Sequence, residues 1–155
     1  AEAGADRLVN AVAINKFYKT PSIVIDFGTA TTFDVIGENG SYEGGLIAPG
    51  VNLSIEALYM AASRLPRISI NPIQKNVSII GKNTKSSMFS GIYWGYISMV
   101  EGIVKRIMEE QKINFFVLAT GGLAGLFSQN CNVIQSVDEN LTIKGLIHIY
   151  NLNKI

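Results

Sequence analysis

The chain has 155 residues, 48% of them hydrophobic and only 16% charged, and a formal net charge of +1. The length suits one domain, and the low charged fraction predicts extensive burial in a core or an interface. The one local cluster of basic residues, KRIMEEQK at 105–112, carries both signs, so nucleic acid and anionic membrane surfaces are disfavoured as partners.

Residues 5–17, ADRLVNAVAINKF, place Leu8, Val9, Val12, Ala13 and Phe17 at helical spacing, and Pro21 breaks the chain beyond them. SIVIDFG, TTFDVIG and SYEGGLIAP then read as three strands. Glu38-Asn39-Gly40 is a tight-turn signal that predicts an antiparallel hairpin between the last two, and Gly28 turns the chain between the first two. After Pro49-Gly50, VNLSIEALYMAASRL predicts a helix with Leu53, Ala57, Met60 and Ala61 on one face. Pro66 and Pro72 bracket an irregular stretch, VSII reads as a short strand or extended piece, and GKNTKSS as a loop.

Residues 87–111 are the most helical segment, with Phe89, Ile92, Tyr96, Val100, Ile103 and Ile107 recurring every three or four positions and Glu101 four before Lys105. NFFVLAT reads as a buried strand, GGLAGLF as the start of a helix, CNVIQSV as one more strand and ENLTIKGLIHIYNLN as a last helix. The uncharged span 113–137 contains Gly121-Gly122 and SQNCN, so it is no continuous membrane helix. The single cysteine, Cys131, rules out an intrachain disulfide and fits a reducing cytosol; the single histidine, His148, argues against a zinc site and reads as a packed or capping side chain. Three antiparallel strands continued by strand–helix alternation predict an α/β fold with a mixed sheet, parallel strands extending the meander, and helices on both faces. That is the outline of a ribonuclease H-like, actin-like ATPase domain.

Three motifs carry chemistry. In DFGTATT, Asp26 at the end of a buried strand can hold a cation beside a phosphate, Gly28 lets backbone amides approach an anion, and Thr29, Thr31 and Thr32 offer hydroxyls; the same residues also suit a plain strand–turn–strand. In ATGGLAG, Gly121 and Gly122 open a surface for a nucleotide, or simply let helix and strand pack. In GADR, Asp6 suits either the first turn of a helix or a proton-accepting base, with Arg7 gripping an anionic group. GKNT alone reads as a polar turn. Phe89, Tyr93, Trp94 and Tyr96 read as core or interface.

Taken together and in order, GADRLVNAVA, VIDFGTATTFDVI, YEGGLIAPGVNLSIEAL, IGKNTKSSMFSGIYWGY and LATGGLA closely resemble the type III pantothenate kinase family, from Gly4 to about Leu152. The resemblance implies ATP-dependent phosphorylation of pantothenate to 4′-phosphopantothenate, the first step of coenzyme A biosynthesis, in the cytoplasm, by a homodimer using ATP with Mg2+ and an activating K+ or NH4+. It implies Asp6 as the base, Gly4, Ala5, Asp6, Arg7 and Thr84 as pantothenate contacts, Gly28, Thr29, Gly121 and Gly122 as ATP contacts, and Asp26 as the monovalent-cation ligand. The family's Asp-x-Gly-Asn-Thr phosphate loop does not occur here. The chain therefore reads as the C-terminal half of a two-domain kinase, inactive without an N-terminal half of roughly 100 residues. Three alternatives keep the fold: a ligand-binding transcriptional regulator of the same family, a kinase of the superfamily acting on an acid or sugar, and a dimerisation domain whose motifs are only turns.

Overall fold

Alternation along one strand decides the architecture. In β1 (Ser22–Phe27), Ile23, Ile25 and Phe27 point to one face and Ser22, Val24 and Asp26 to the other, and only Asp26 is not fully buried. A strand apolar on both faces needs cover on both. In the computed structural model, which describes residues 4–73 and 78–154, β1 is the middle strand of a five-stranded sheet ordered β3-β2-β1-β4-β5. β2 (Ala30–Ile36) runs antiparallel to β1, and β3 (Tyr42–Pro49) antiparallel to β2 across a turn with Gly40 at φ 77°. β4 (Phe116–Thr120) and β5 (Ser136–Val137) run parallel to β1, so β2 alone opposes the other four.

Each face has its own core. On one, α1 (Ala5–Phe17) and α5 (Leu141–Leu152) bury Ala11, Ala13, Ile14 and Leu141 over Val24, Ile36 and Leu118. On the other, α2 (Val51–Ala61), α3 (Thr84–Gln111) and α4 (Ala124–Ser128) cover Ile23, Ile25, Phe27, Phe33, Val117 and Ala119. Burying a side chain of this size contributes about 1.5–3 kcal/mol, which makes α3, with nine buried residues along 28, the main support of that face.

The helices and strands around the sheet otherwise follow the expected order, with five differences. The face of α2 is the opposite of the expected one: Val51 and Ile55 are buried, whereas Leu53 and Met60 are 58% and 79% exposed. Tyr96 explains this, because its hydroxyl donates to the Pro49 carbonyl (2.7 Å) and lies 2.6 Å from Ser54 Oγ, turning the Val51–Ser54–Ile55 side inward. Ser78–Ile80 form no strand, and Val77 lies outside the described residues. α3 starts inside the expected loop, because Asn83 and Ser86 form a capping box. α4 begins at Ala124, two residues beyond the glycine pair, and β5 is only two residues long. His148 packs edge-on against Phe17 with ring centroids 6.2 Å apart. Among the described residues no helix is long and apolar enough to cross a membrane.

Asp138, just past β5, ties the end of α1 to the start of α5. Its carboxylate accepts from Tyr18 Oη (2.5 Å), Lys144 Nζ (2.7 Å) and the Asn140 amide (3.0 Å). Burial pushes this carboxyl up, but those donors outweigh it and hold it below the ordinary range; burial and the Asp138 carboxylate push Tyr18 up to about 12. A lowered acid contributes stability above its unfolded value of ~3.9 that is lost as pH falls through the folded one; a raised phenol contributes stability below ~10 that is lost as pH rises towards 12. The cluster therefore acts fully between about pH 4 and 10. In urea titrations Tyr18→Phe should lower stability by ~1–2 kcal/mol at pH 7 and by less at pH 3; an equal loss at both would separate Tyr18 from the Asp138 charge.

Candidate active site

The polar residues on the α1 side of the sheet gather at one end of β1. Gly4 is the N-cap of α1 and Asp6 its first-turn acid, a position that complements the helix dipole. Asp6 is exposed, Arg7 half-buried and Asn10 buried. Arg7 and Asn10 are three apart, so both reach the sheet from one helix face. Arg7 Nε donates to Asp34 Oδ1 of β2 at 2.5 Å, and Tyr42 Oη of β3 donates to the same oxygen at 3.1 Å. Asn10 Oδ1 accepts from Thr142 Oγ1 of α5 (2.7 Å), which aims its amide nitrogen at Asp26 Oδ2, 3.4 Å away.

Asp26 thus stands with one oxygen towards Asn10 and the other, Oδ1, towards two glycine turns. Gly121 has φ 94°, a conformation only glycine adopts cheaply. A Cβ there would lie 2.6 Å from the Phe27 carbonyl oxygen and 2.8 Å from Asp26 Oδ1; one on Gly28 would lie 3.3 Å from the same carboxylate oxygen. Burial pushes the Asp26 carboxyl up; the Asn10 amide opposes this, and the nearby Asp6 and Asp34 carboxylates add to it. Burial likewise pushes Asp34 up, against the pull of Arg7 and Tyr42. A crowded, partly desolvated carboxylate of this kind gains from a cation beside it. Among the described residues no three or more His, Cys, Asp or Glu lie grouped so as to hold a metal ion.

The structure brings Asp6, Arg7, Asp26, Gly28 and Gly121 together, although they come from three separate stretches of sequence. Gly4 and Ala5 accompany Asp6 as exposed residues, Thr29 is exposed in the β1–β2 turn, and Gly122 borders open space beyond Gly121. Thr31 is structural, with its hydroxyl donating to the Pro49 carbonyl at 3.0 Å. Thr84 stands apart. Pro49 pairs with Ala30 beside the turn, so Tyr96 marks the level of the site along α3. Thr84 lies twelve residues nearer the start of that helix, ~18 Å farther along its axis. A cavity of about 860 Å³, lined by Glu101, Lys105, Met108, Asn114, Phe115 and Gln135 among others, lies at the opposite end of the strands and shares no residue with the carboxylate group.

Asn10, Asp34, Tyr42 and Thr142 were missed in the sequence reading. A signal for Asp34 was present: it is a lone charge between Phe33 and Val35 in an otherwise uncharged strand, and a buried charge needs a partner.

The strand order with β2 alone reversed and helices on both faces define a ribonuclease H-like, actin-like fold. Two solved structures share this fold at low identity. One is a Campylobacter jejuni protein assigned to the Baf family of transcriptional activators (TM-score 0.66, 20% identity, 97% of this chain and 64% of that one). The other is the Alp12 filament (TM-score 0.56, 15% identity, 93% and 52%). The chain belongs to the type III pantothenate kinase family, whose model matches residues 1–106. Relatives named type III pantothenate kinase include those of Paramagnetospirillum magneticum (56% identical over 98% of this chain and 57% of the relative), Caulobacter vibrioides (52%, 100% and 59%) and Bacillus cytotoxicus (54%, 99% and 58%). The chain thus spans somewhat under three-fifths of the length of the curated relatives it matches.

Proposed function

We propose that this chain is the C-terminal, actin-like half-domain of a pantothenate kinase, which transfers the γ-phosphoryl group of ATP to the primary hydroxyl of pantothenate, giving 4′-phosphopantothenate. The observation that carries this reading is the gathering of Asp6 and Arg7 beside Asp26, Gly28 and Gly121 at one end of the sheet. Asp6, exposed at the helix start, accepts the proton from the substrate hydroxyl. Arg7, with Gly4 and Ala5, holds pantothenate. Gly28, Thr29, Gly121 and Gly122 lie against ATP, and Asp26 holds K+ or NH4+. Such a cation offsets the carboxylate charge beside the phosphates, while Mg2+ arrives with ATP; positioning and electrostatics supply most of the acceleration in phosphoryl transfer.

Two further parts belong to this reading. The half-domain needs an N-terminal partner domain carrying the other phosphate loop and is inactive alone. The working protein is a cytoplasmic homodimer. Thr84, set beyond the end of the sheet, then contacts pantothenate near the subunit interface, and the exposed Ile47, Leu53 and Met60 offer apolar surface for contact.

The test is ADP release by this chain completed at its N-terminal side with the corresponding segment of the Paramagnetospirillum magneticum relative. Turnover should require pantothenate and be faster in potassium than in sodium. Asp26→Ala should remove that difference and lower turnover by roughly tenfold or more. Equal rates in the two salts would overturn the role of Asp26, and comparable turnover by residues 1–155 alone would overturn the half-domain reading. No turnover by a folded, dimeric polypeptide would favour the regulator.

A further inference from the structure

We propose that Asp34, seated beside Tyr42 and Gly45, is the positioning residue for Arg7: it occupies the inner edge of the guanidinium and leaves the outer edge for a carboxylate or similar anionic group of the substrate. This rests on the reading of Arg7 as a substrate contact.

Asp34 is fully buried in mid-strand, and the Arg7 side chain is 13% exposed. A carboxylate in such a place is tolerable only when paired and hydrogen-bonded. Its partner comes from the turn of α1 that also carries Asp6, so the ion pair fixes the start of that helix against the sheet. The guanidinium is held on three sides. Asp34 Oδ1 takes Nε, the Tyr42 ring lies 5.6 Å from Cζ, and Gly45, which pairs with Asp34 across β2 and β3, leaves room for Nη2. A Cβ on Gly45 would overlap both Arg7 Nη2 and the Phe33 carbonyl oxygen.

Two atoms of this group are buried without partners, Arg7 Nη2 and Asp34 Oδ2. They are each other's complement. Nε and Nη2 form one edge of the planar guanidinium, and Oδ1 and Oδ2 form the facing edge of the carboxylate, so a small rotation closes the second bond of a side-on bidentate pair. The cost of leaving a buried donor and acceptor unmade favours that closure. Nη1, on the other edge, makes no hydrogen bond to the described residues. A fork fixed on one edge presents the other in a single orientation, which a free arginine at a helix start would not do.

A mere staple between α1 and β2 would give the same contacts, and kinetics separates the two. In the completed polypeptide Asp34→Asn, which keeps the shape, should raise the KM for pantothenate roughly tenfold and leave kcat and the KM for ATP within about threefold. Tyr42→Phe, a milder change, should raise the same KM by a smaller factor. Asp34→Asn should add nothing to the KM of Arg7→Ala, since it acts through that side chain. In residues 1–155 alone, the Arg7 Nε–H signal in NMR spectra should be protected from exchange at pH 7 and lose that protection in Asp34→Asn. Equal increases in both KM values, or an Asp34→Asn effect that adds to Arg7→Ala, would overturn the positioning role. If Arg7→Ala itself leaves the KM for pantothenate unchanged, the substrate reading of Arg7 fails; a protected Nε–H that depends on Asp34 would then mark the pair as a staple.

Discussion

Asp6→Asn in the completed polypeptide should lower pantothenate-dependent turnover by roughly 100- to 10,000-fold, the usual contribution of a positioned general base, with little change in the KM for ATP. The geometry favours so selective an effect. Asp6 is exposed, makes no hydrogen bond to the described residues, and sits one residue before the ion-paired Arg7. Its removal leaves no buried partner stranded, so the thermal midpoint should move by less than about 3 °C. Asparagine keeps the size and a hydrogen-bonding oxygen but cannot accept the proton. Stopped assays of ADP against pantothenate concentration would check this; turnover within threefold of the unsubstituted protein would remove Asp6 from the chemistry and return it to the role of a helix-start acid.

Phe127→Ala should cost about 3–5 kcal/mol of stability, or roughly 6–20 °C in Tm for a chain of this size. Phe127 is 1% exposed and lies between two rings, Phe27 at 5.0 Å and Tyr93 at 5.3 Å, both nearly parallel to it. It is also the anchor of α4, a helix of five residues and too short to persist unaided. Tyr93 braces the same helix by donating to the Leu126 carbonyl (3.2 Å) and accepting from Asn130 (2.9 Å). The consequence reaches the candidate site, because Phe27 immediately precedes Gly28 and its carbonyl abuts Gly121. Loss of the ring should therefore loosen both glycine turns, and activity should fall at temperatures below the unfolding transition. Urea unfolding with a loss under 1 kcal/mol would show that the stack is dispensable.

Particular residues show how far the sequence reaches. The meander was legible because Ser22–Phe27 and Ala30–Ile36 are largely apolar runs parted by Gly28 and the turn after them is marked by Glu38-Asn39-Gly40; α3 was legible because its period persists over seven turns. The buried face of α2 was not. VNLSIEALYMA has apolar residues on both sides, and the choice between them is made by Tyr96, 42 residues from Ser54. β5 was placed correctly but overextended, since two residues carry no periodicity. The sequence order of the blocks, not any single one, pointed to the family, and the family match agrees with that order.

By itself the sequence determined the elements, the two-sided sheet and the residue types offered for phosphate, cation and proton, because local pattern and backbone preference act within a few residues. Only the tertiary structure decided which of them meet. Arg7 and Asp34 are 27 residues apart, and Asn10 and Thr142 are 132 apart, yet each pair is joined by a hydrogen bond. Asp26 and Gly121 become neighbours because β4 aligns in parallel beside β1. Such meetings depend on register and on helices packing across the sheet, and on the rule that a charge taken from water must find its partner inside.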